Sequence, residues 1–274
     1  MIDNPKYNSS DVIEAKLEVT AENCQQKASL LLANDTSLSQ EKIKDAMSKG
    51  AVWLLRKHKQ GVSKQRLRRA SKKLQAGDVL EINYNPQILN QTVPEPELVF
   101  DGKDYSVWFK PYGLYCQGSR WGDFASINRW VEVNLPALIE GNERPVFLVH
   151  RLDRATSGLI LLCHSKNAAR LFSEMFRAGK IDKRYQAIVH GDFSQLPQPC
   201  EVNEPVDEKA ARSVFSFSSG KEGLSLLDVK LVTGRKHQIR KHLSGLGFPI
   251  VGDRLYGLSK SKEAICSGIV NLAT

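Results

Sequence analysis

The stretch HRLDRATSGLILL, His150 to Leu162, constrains this chain most. Its end, Leu159 to Leu162, is a short unbroken apolar run behind the turn-like Ala155-Thr156-Ser157-Gly158, the pattern of a buried strand. Its start sets one acidic residue, Asp153, between Arg151 and Arg154. Flanking positive charge favours the ionised form of such a carboxylate. An ionised carboxylate at the mouth of a buried strand is a candidate nucleophile. The two guanidinium groups suit a substrate that carries phosphates. Taken alone, the same aspartate reads more simply as a turn residue capping Thr156 or Ser157.

Charge narrows the partner. The chain carries 39 basic and 30 acidic residues over its 274, a net charge of +9. That excess points to nucleic acid or another polyanion rather than to a particular fold. A hydrophobic fraction of 41% is ordinary for a soluble globular protein. The five cysteines, Cys24, Cys116, Cys163, Cys200 and Cys266, are scattered and form no CxxC pair, so reduced thiols are expected rather than zinc or disulfides. His150, His164, His190, His237 and His242 show no metal-ligand spacing with carboxylates, and His237 and His242 are five apart. No metal and no cofactor is expected. Residues 1–10 are polar, and no apolar run approaches the roughly 18 residues of a membrane span. A cytoplasmic, monomeric protein without a membrane association is the expectation.

Three regions are expected. Residues 1–85 form an N-terminal extension and small domain, 86–97 a linker, and 98–274 the main domain. In the first, residues 1–35 are a modest lead-in, and Ser39 opens a helix with Ile43, Ala46 and Met47 inward and Gly50 at its end. A short strand, 51–55, follows, and then a basic connection. Between Lys42 and Lys73 there are twelve Lys or Arg residues and one acid, Asp45. Gly77-Asp78 then turns into an alternating strand, 79–82. Pro86, Pro94 and Pro96 among polar residues suggest the linker. Beyond it, strands are expected at 98–100, 105–109, 159–163, 185–189 and 224–231, and helices at 126–134, 166–178 and 235–246. They do not alternate strictly, so the fold class is α+β, a mixed, largely antiparallel sheet with flanking helices.

Two further blocks follow HRLDRATSG in order: DKRYQAIVHG from Asp182, and LVTGRKHQIRKHLSGLGFPIVGDRLYG from Leu231. Together the three resemble the motifs of the RluA family of RNA pseudouridine synthases, over about residues 99–257. The N-terminal pattern is similar, more distantly, to an S-four-like α/β RNA-binding domain. The family resemblance implies a catalytic set of Asp153 as nucleophile, Tyr185 and Arg240. Tyr185 shares a strand face with Ala187 and Val189, where its ring stacks on a flipped base and its hydroxyl serves proton transfer. Arg240 borders the stripe Ile239, Leu243 and Leu246, within reach of Asp153. The resemblance gives Arg151 to base displacement. FKPYGL, from Phe109, is similar to a family turn and makes Lys110 a substrate contact. Arg235 and Lys236, at a helix start, suit phosphates.

The function implied is isomerisation of uridines in structured RNA, ribosomal RNA ahead of transfer RNA. The rivals are a binding protein that keeps the fold without catalysis, and an N-glycosidase that releases free uracil. The family's final strand is shortened or absent after the third block, which leaves a truncated C-terminus as an expectation.

Overall fold

A computed structural model describes residues 11–139 and 143–258, with the backbone of 268–271. The polar start at 1–10 and Cys266 lie outside the described residues. The chain divides into two compact units, residues 1–93 with 117–130, and residues 94–116 with 131–274.

The first unit runs β1 (Ile13–Glu18), α1 (Ala28–Asp35), α2 (Gln40–Ser48), β2 (Val52–His58), β3 (Gly61–Arg66), β4 (Val79–Tyr84) and α3 (Pro86–Leu89). Its strands form an antiparallel sheet in the order β1-β4-β2-β3. The α2 helix starts as expected, with the Ser39 side chain accepting the Lys42 amide. Ile43, Ala46 and Met47 are fully buried against Leu54, Leu80 and Ile82. Three expectations change here. The lead-in is part of the core, since β1 pairs with β4 and Leu31 and Leu32 are buried. The basic connection is a hairpin: β2 pairs with β3 from Trp53↔Arg66 to His58↔Gly61, so alternation puts most charges on one face and at the tip. Residues 86–97 are not wholly linker. Asn85 accepts the amides of Gln87 and Ile88, Pro86 sits in the first turn where no donor is required, and Leu89 is buried in the core.

The second unit contains β5 (Glu97–Asp101), β6 (Tyr105–Lys110), α4 (Ile127–Leu138), which starts within 117–130, β7 (Phe147–Leu148), β8 (Thr156–Cys163), α5 (Lys166–Arg177), β9 (Lys183–His190), β10 (Cys200–Val202), β11 (Ser213–Lys221), β12 (Leu224–Leu231), α6 (Gln238–Gly245) and β13 (Gly268–Asn271). Among the described residues the sheet has nine strands in the order β10-β11-β12-β9-β13-β8-β6-β5, with β7 on β8. Every pairing is antiparallel except β13 with β8. The fold is α+β with a mixed, largely antiparallel sheet. The apolar run of the opening block becomes β8, an interior strand nearly buried along its length. A final strand is present. Its four residues fit between β8 and β9, where Val270 pairs with both Gly158 and Tyr185. It escapes sequence reading because four residues are too few for an alternation signal.

No helix among the described residues is long and apolar enough to cross a membrane.

Candidate active site

The site lies in the second unit, at the N-terminal end of β8. The chain must turn sharply before this strand, and the turn is held by backbone groups. The Thr156 amide donates to the Asp153 carbonyl at 3.0 Å. The Thr156 amide is thus taken by the Asp153 backbone carbonyl. Two neighbours fasten the loop. Gly113 donates its amide to the Arg154 carbonyl at 2.8 Å and accepts from Arg154 Nε at 3.1 Å. The buried Cys116 Sγ lies 3.1 Å from both the amide and the carbonyl of Leu152.

Lys110 explains why the Gly113 turn is rigid. It ends β6 fully buried, and its ammonium donates to the carbonyls of Pro111 at 3.0 Å and Leu114 at 2.9 Å. Burial pushes it down to about 8, against the pull of Cys116 and Asp153. At neutral pH it stays protonated and its donors serve the turn. The expected substrate contact is corrected on this ground: Lys110 lies beneath the site and is closed to a substrate.

Asp153, Tyr185 and Arg240 line one cleft of about 420 Å³, as do Arg151 and Arg235. That volume falls in the range of small-ligand sites. The α6 helix is shorter than expected, starting at Gln238, so Arg235 and Lys236 precede it in an exposed loop. Arg235 Nε donates to the Ala210 carbonyl at 3.0 Å. Lys236 is not among the cleft-lining residues. The helix stripe is as expected: Leu243 is buried, with Ile239 and Leu246 packed on the same core.

Arg240 faces Asp153, but that contact is its weaker one. Its Nη1 is 3.3 Å from Asp153 Oδ2, while Nε and Nη2 each donate at 2.7 Å to the two oxygens of Asp253. Two parallel bonds fix the guanidinium plane. The Asp253 side chain is 3% exposed and also accepts the amides of Leu255 and Tyr256. Burial alone would raise its carboxyl, but Arg240 and the two amides hold it below the ordinary range. Asp253 therefore orients Arg240 and leaves its Nη1 for Asp153. Asp153 Oδ2 also lies 3.7 Å from His237 Nε2.

Tyr185, on β9 between β13 and β12, is partly buried on the core that holds Ala187 and Val189. Burial, reinforced by the negative charge of Asp153, pushes its hydroxyl up to about 12. The phenol is protonated at neutral pH.

Asp253, Gln238 and Tyr256 were not singled out in the sequence, and His237 and Cys116 were weighed there only as metal or disulfide candidates. Gln238 is buried, and its amide is fully used. Nε2 donates to the Arg212 carbonyl and Ser213 Oγ, and Oε1 accepts from Thr233 Oγ1 and the Arg235 amide. It pins the loop that delivers Arg235 and His237. The only sequence signal for Asp253 and Tyr256 was their place in the third block.

A family profile described as RNA pseudouridylate synthase matches residues 104–245. The chain is 30% identical over 207 residues to ribosomal large subunit pseudouridine synthase C of Buchnera aphidicola, covering 70% of this chain and 60% of that one. It is 40% identical over 129 residues to the dual-specificity RNA pseudouridine synthase RluA of Pasteurella multocida, covering 41% of this chain and 58% of that one. Among solved structures, human RNA pseudouridylate synthase domain containing 4 matches with a TM-score of 0.50 at 27% identity, over 60% of this chain and 70% of that one. The matched segments thus span less than two thirds of either curated relative's length.

Proposed function

The chain belongs to the RNA pseudouridine synthase family, of the RluA type, and on that premise we propose that it isomerises specific uridines in structured RNA with Asp153 as the nucleophile. The reaction breaks the bond from the sugar to uracil N1, turns the base and joins the sugar to C5. The C5 hydrogen leaves and N1 gains one, so nothing is oxidised and no water is consumed. Asp153 adds to the uridine and is released in the last step. The observation that carries this reading is a carboxylate whose Oδ2 faces Arg240 and His237, in a cleft it shares with Tyr185 and Arg240.

Each remaining residue has a part. Arg240 aims Asp153. Tyr185, protonated and partly buried, stacks on the flipped base and serves the proton step as a hydroxyl rather than a phenolate. Arg151, exposed at the cleft, takes the place of the extruded base. Arg235 and Lys236 meet the phosphates flanking it. The first unit adds RNA affinity through its exposed cations. Large-subunit ribosomal RNA is the favoured substrate and transfer RNA the second, acted on by a cytoplasmic monomer.

The test incubates the protein with unmodified transcripts of both RNAs in the presence of a chelator, then separates pseudouridine, uridine and free uracil. Pseudouridine is expected. Free uracil identifies an N-glycosidase instead. RNA binding without either product identifies a protein that only binds.

A further inference from the structure

His237 adopts φ 55° and ψ 26°, the left-handed region, immediately before α6. Side chains seldom occupy that region, and glycine fits it most readily. A residue held there in a functional cleft raises the question of what its side chain does. The imidazole Nε2 lies 3.7 Å from Asp153 Oδ2, and Nδ1 lies 3.1 Å from the Tyr256 hydroxyl. The Tyr256 ring meets the imidazole edge-on, with centroids 5.7 Å apart, and carries the Arg240 guanidinium 5.0 Å from its own centroid. His237, Tyr256 and Arg240 therefore form one group around a single oxygen of Asp153.

The charges that face the imidazole come from three segments: Asp153 before β8, Lys236 and Arg240 around the start of α6, and Asp253 after it. Burial lowers its proton affinity, the two carboxylates oppose this, the two cations add to it, and the net direction is down. A neutral imidazole has two tautomers. With the proton on Nδ1, the bare Nε2 lone pair would face a carboxylate oxygen. With the Tyr256 hydroxyl donating to Nδ1, the proton sits on Nε2 and points at Asp153. The second arrangement places opposite partial charges together. At 3.7 Å the contact is electrostatic rather than a hydrogen bond.

We propose that His237 is a positioning residue: Tyr256 fixes its proton on Nε2, and together with Arg240 it holds Asp153 Oδ2 so that Oδ1 is the attacking oxygen. The inference rests on the reading of Asp153 as nucleophile. It explains why a histidine occupies a glycine-like position.

Two measurements test it on the full chain. The first needs no turnover: the imidazole nitrogen shifts of His237 are recorded by NMR. A protonated Nε2 with an unprotonated Nδ1 is expected at neutral pH, and Tyr256→Phe should let the second tautomer appear. A proton found on Nδ1 overturns the proposal. The second compares His237→Gly, Tyr256→Phe and the double variant in single-turnover assays on ribosomal and transfer RNA transcripts. His237→Gly suits the backbone, so its melting temperature should hold or rise. Its maximal rate should fall roughly tenfold, the factor that ~1.4 kcal/mol of lost transition-state support produces, with little change in KM. Tyr256→Phe should lose less, and nothing further once His237 is glycine. Full rate in His237→Gly, or independent losses in the double variant, overturns the inference. Asp153→Asn run alongside separates the two readings: if it is inactive while His237→Gly is fully active, only the positioning role fails; if it is active, the nucleophile assignment fails.

Discussion

Two aspartates, one in each unit, are held in nearly the same way and have opposite surroundings. Asp123 in the first unit accepts from Arg68 Nη2 at 2.6 Å and forms an ion pair with Arg66, whose Nε is 3.0 Å away, both on Oδ2. Its Oδ1 is buried without a hydrogen-bond partner among the described residues. Asp153 in the second unit also has both Arg240 and the His237 imidazole on Oδ2. The difference is access. Asp123 is 11% exposed, and its Oδ1 lies against Gly50, where an added Cβ would collide with it. At φ +80°, Gly50 suits glycine on both counts. Asp153 is 21% exposed and opens into the cleft. The arginines differ as well. Arg66 and Arg68 converge on one carboxylate, whereas Arg240 divides itself between two and gives Asp153 the poorer share. A carboxylate closed in by cations and backbone anchors a segment, here 117–130. One that opens into a cleft, as Asp153 does, has the access that the proposed nucleophile role needs.

That contrast can be strained from both sides. The largest effect outside Asp153 itself is expected at Arg240. Arg240→Ala should cost about 3–5 kcal/mol of stability, because Asp253 is left buried and unpaired. Arg240→Lys keeps the charge but not the planar fork, and should slow single turnover by roughly a hundredfold while the protein stays folded. Circular dichroism melting and rapid-quench kinetics separate the two.

Acid should act through the same pair. The Asp253 carboxyl is depressed below its ordinary 3.8. Its stabilisation is thus fully present above that value and lost as pH falls through the lower folded value. Melting temperature should drop as pH goes from about 5 towards about 2, and Asp253→Asn should flatten that drop. Asp78 makes a similar contribution in the first unit, where Arg56 donates two bonds of 2.7 Å to it.

Tyr185→Phe should slow the reaction by about tenfold with RNA binding retained. Because the hydroxyl is pushed up to about 12, the wild-type rate should show no alkaline rise from phenolate formation between pH 7 and 10. A pH–rate profile with such a rise, absent in the Phe variant, contradicts this role.

The smallest effects belong to the exposed cations of the hairpin. Lys49, Arg56, Lys64, Arg66 and Arg68 already have carboxylate partners. Lys57 and Lys59, at the tip, are exposed. Replacing both with Gln should lower the salt slope of RNA binding by roughly 0.7 log unit for each phosphate no longer neutralised, with maximal rate unchanged. Arg68→Gln should leave the slope alone and lower stability instead.

Much of this site was legible because its residues lie inside compact motifs. Asp153 sits just before a run that had to be a strand, and Arg240 borders a helical stripe that had to face inward. Ordinary spacing found the α2 core face and β12. What escaped depends on partners far apart in sequence. Asp253 matters because it meets Arg240 thirteen residues away across a loop. Lys110 looked like a substrate cation because only burial shows that its ammonium serves Pro111 and Leu114. The return of 117–130 to the first unit turns on Asp123, an acid with no local pattern around it. Four of the twelve cations in the basic segment find carboxylates, Asp78, Glu81 and Asp123, that all lie outside it.

The most direct test puts the two aspartates side by side. Asp153→Asn and Asp123→Asn are both nearly isosteric and remove one negative charge each. Pseudouridine formation at saturating RNA and the thermal melting curve are measured for both. Asp153→Asn should form no pseudouridine and melt close to wild type. Asp123→Asn should turn over at the wild-type rate and melt lower, having weakened its grip on Arg66 and Arg68. Near-normal turnover by Asp153→Asn, or loss of turnover by a folded Asp123→Asn, contradicts the account.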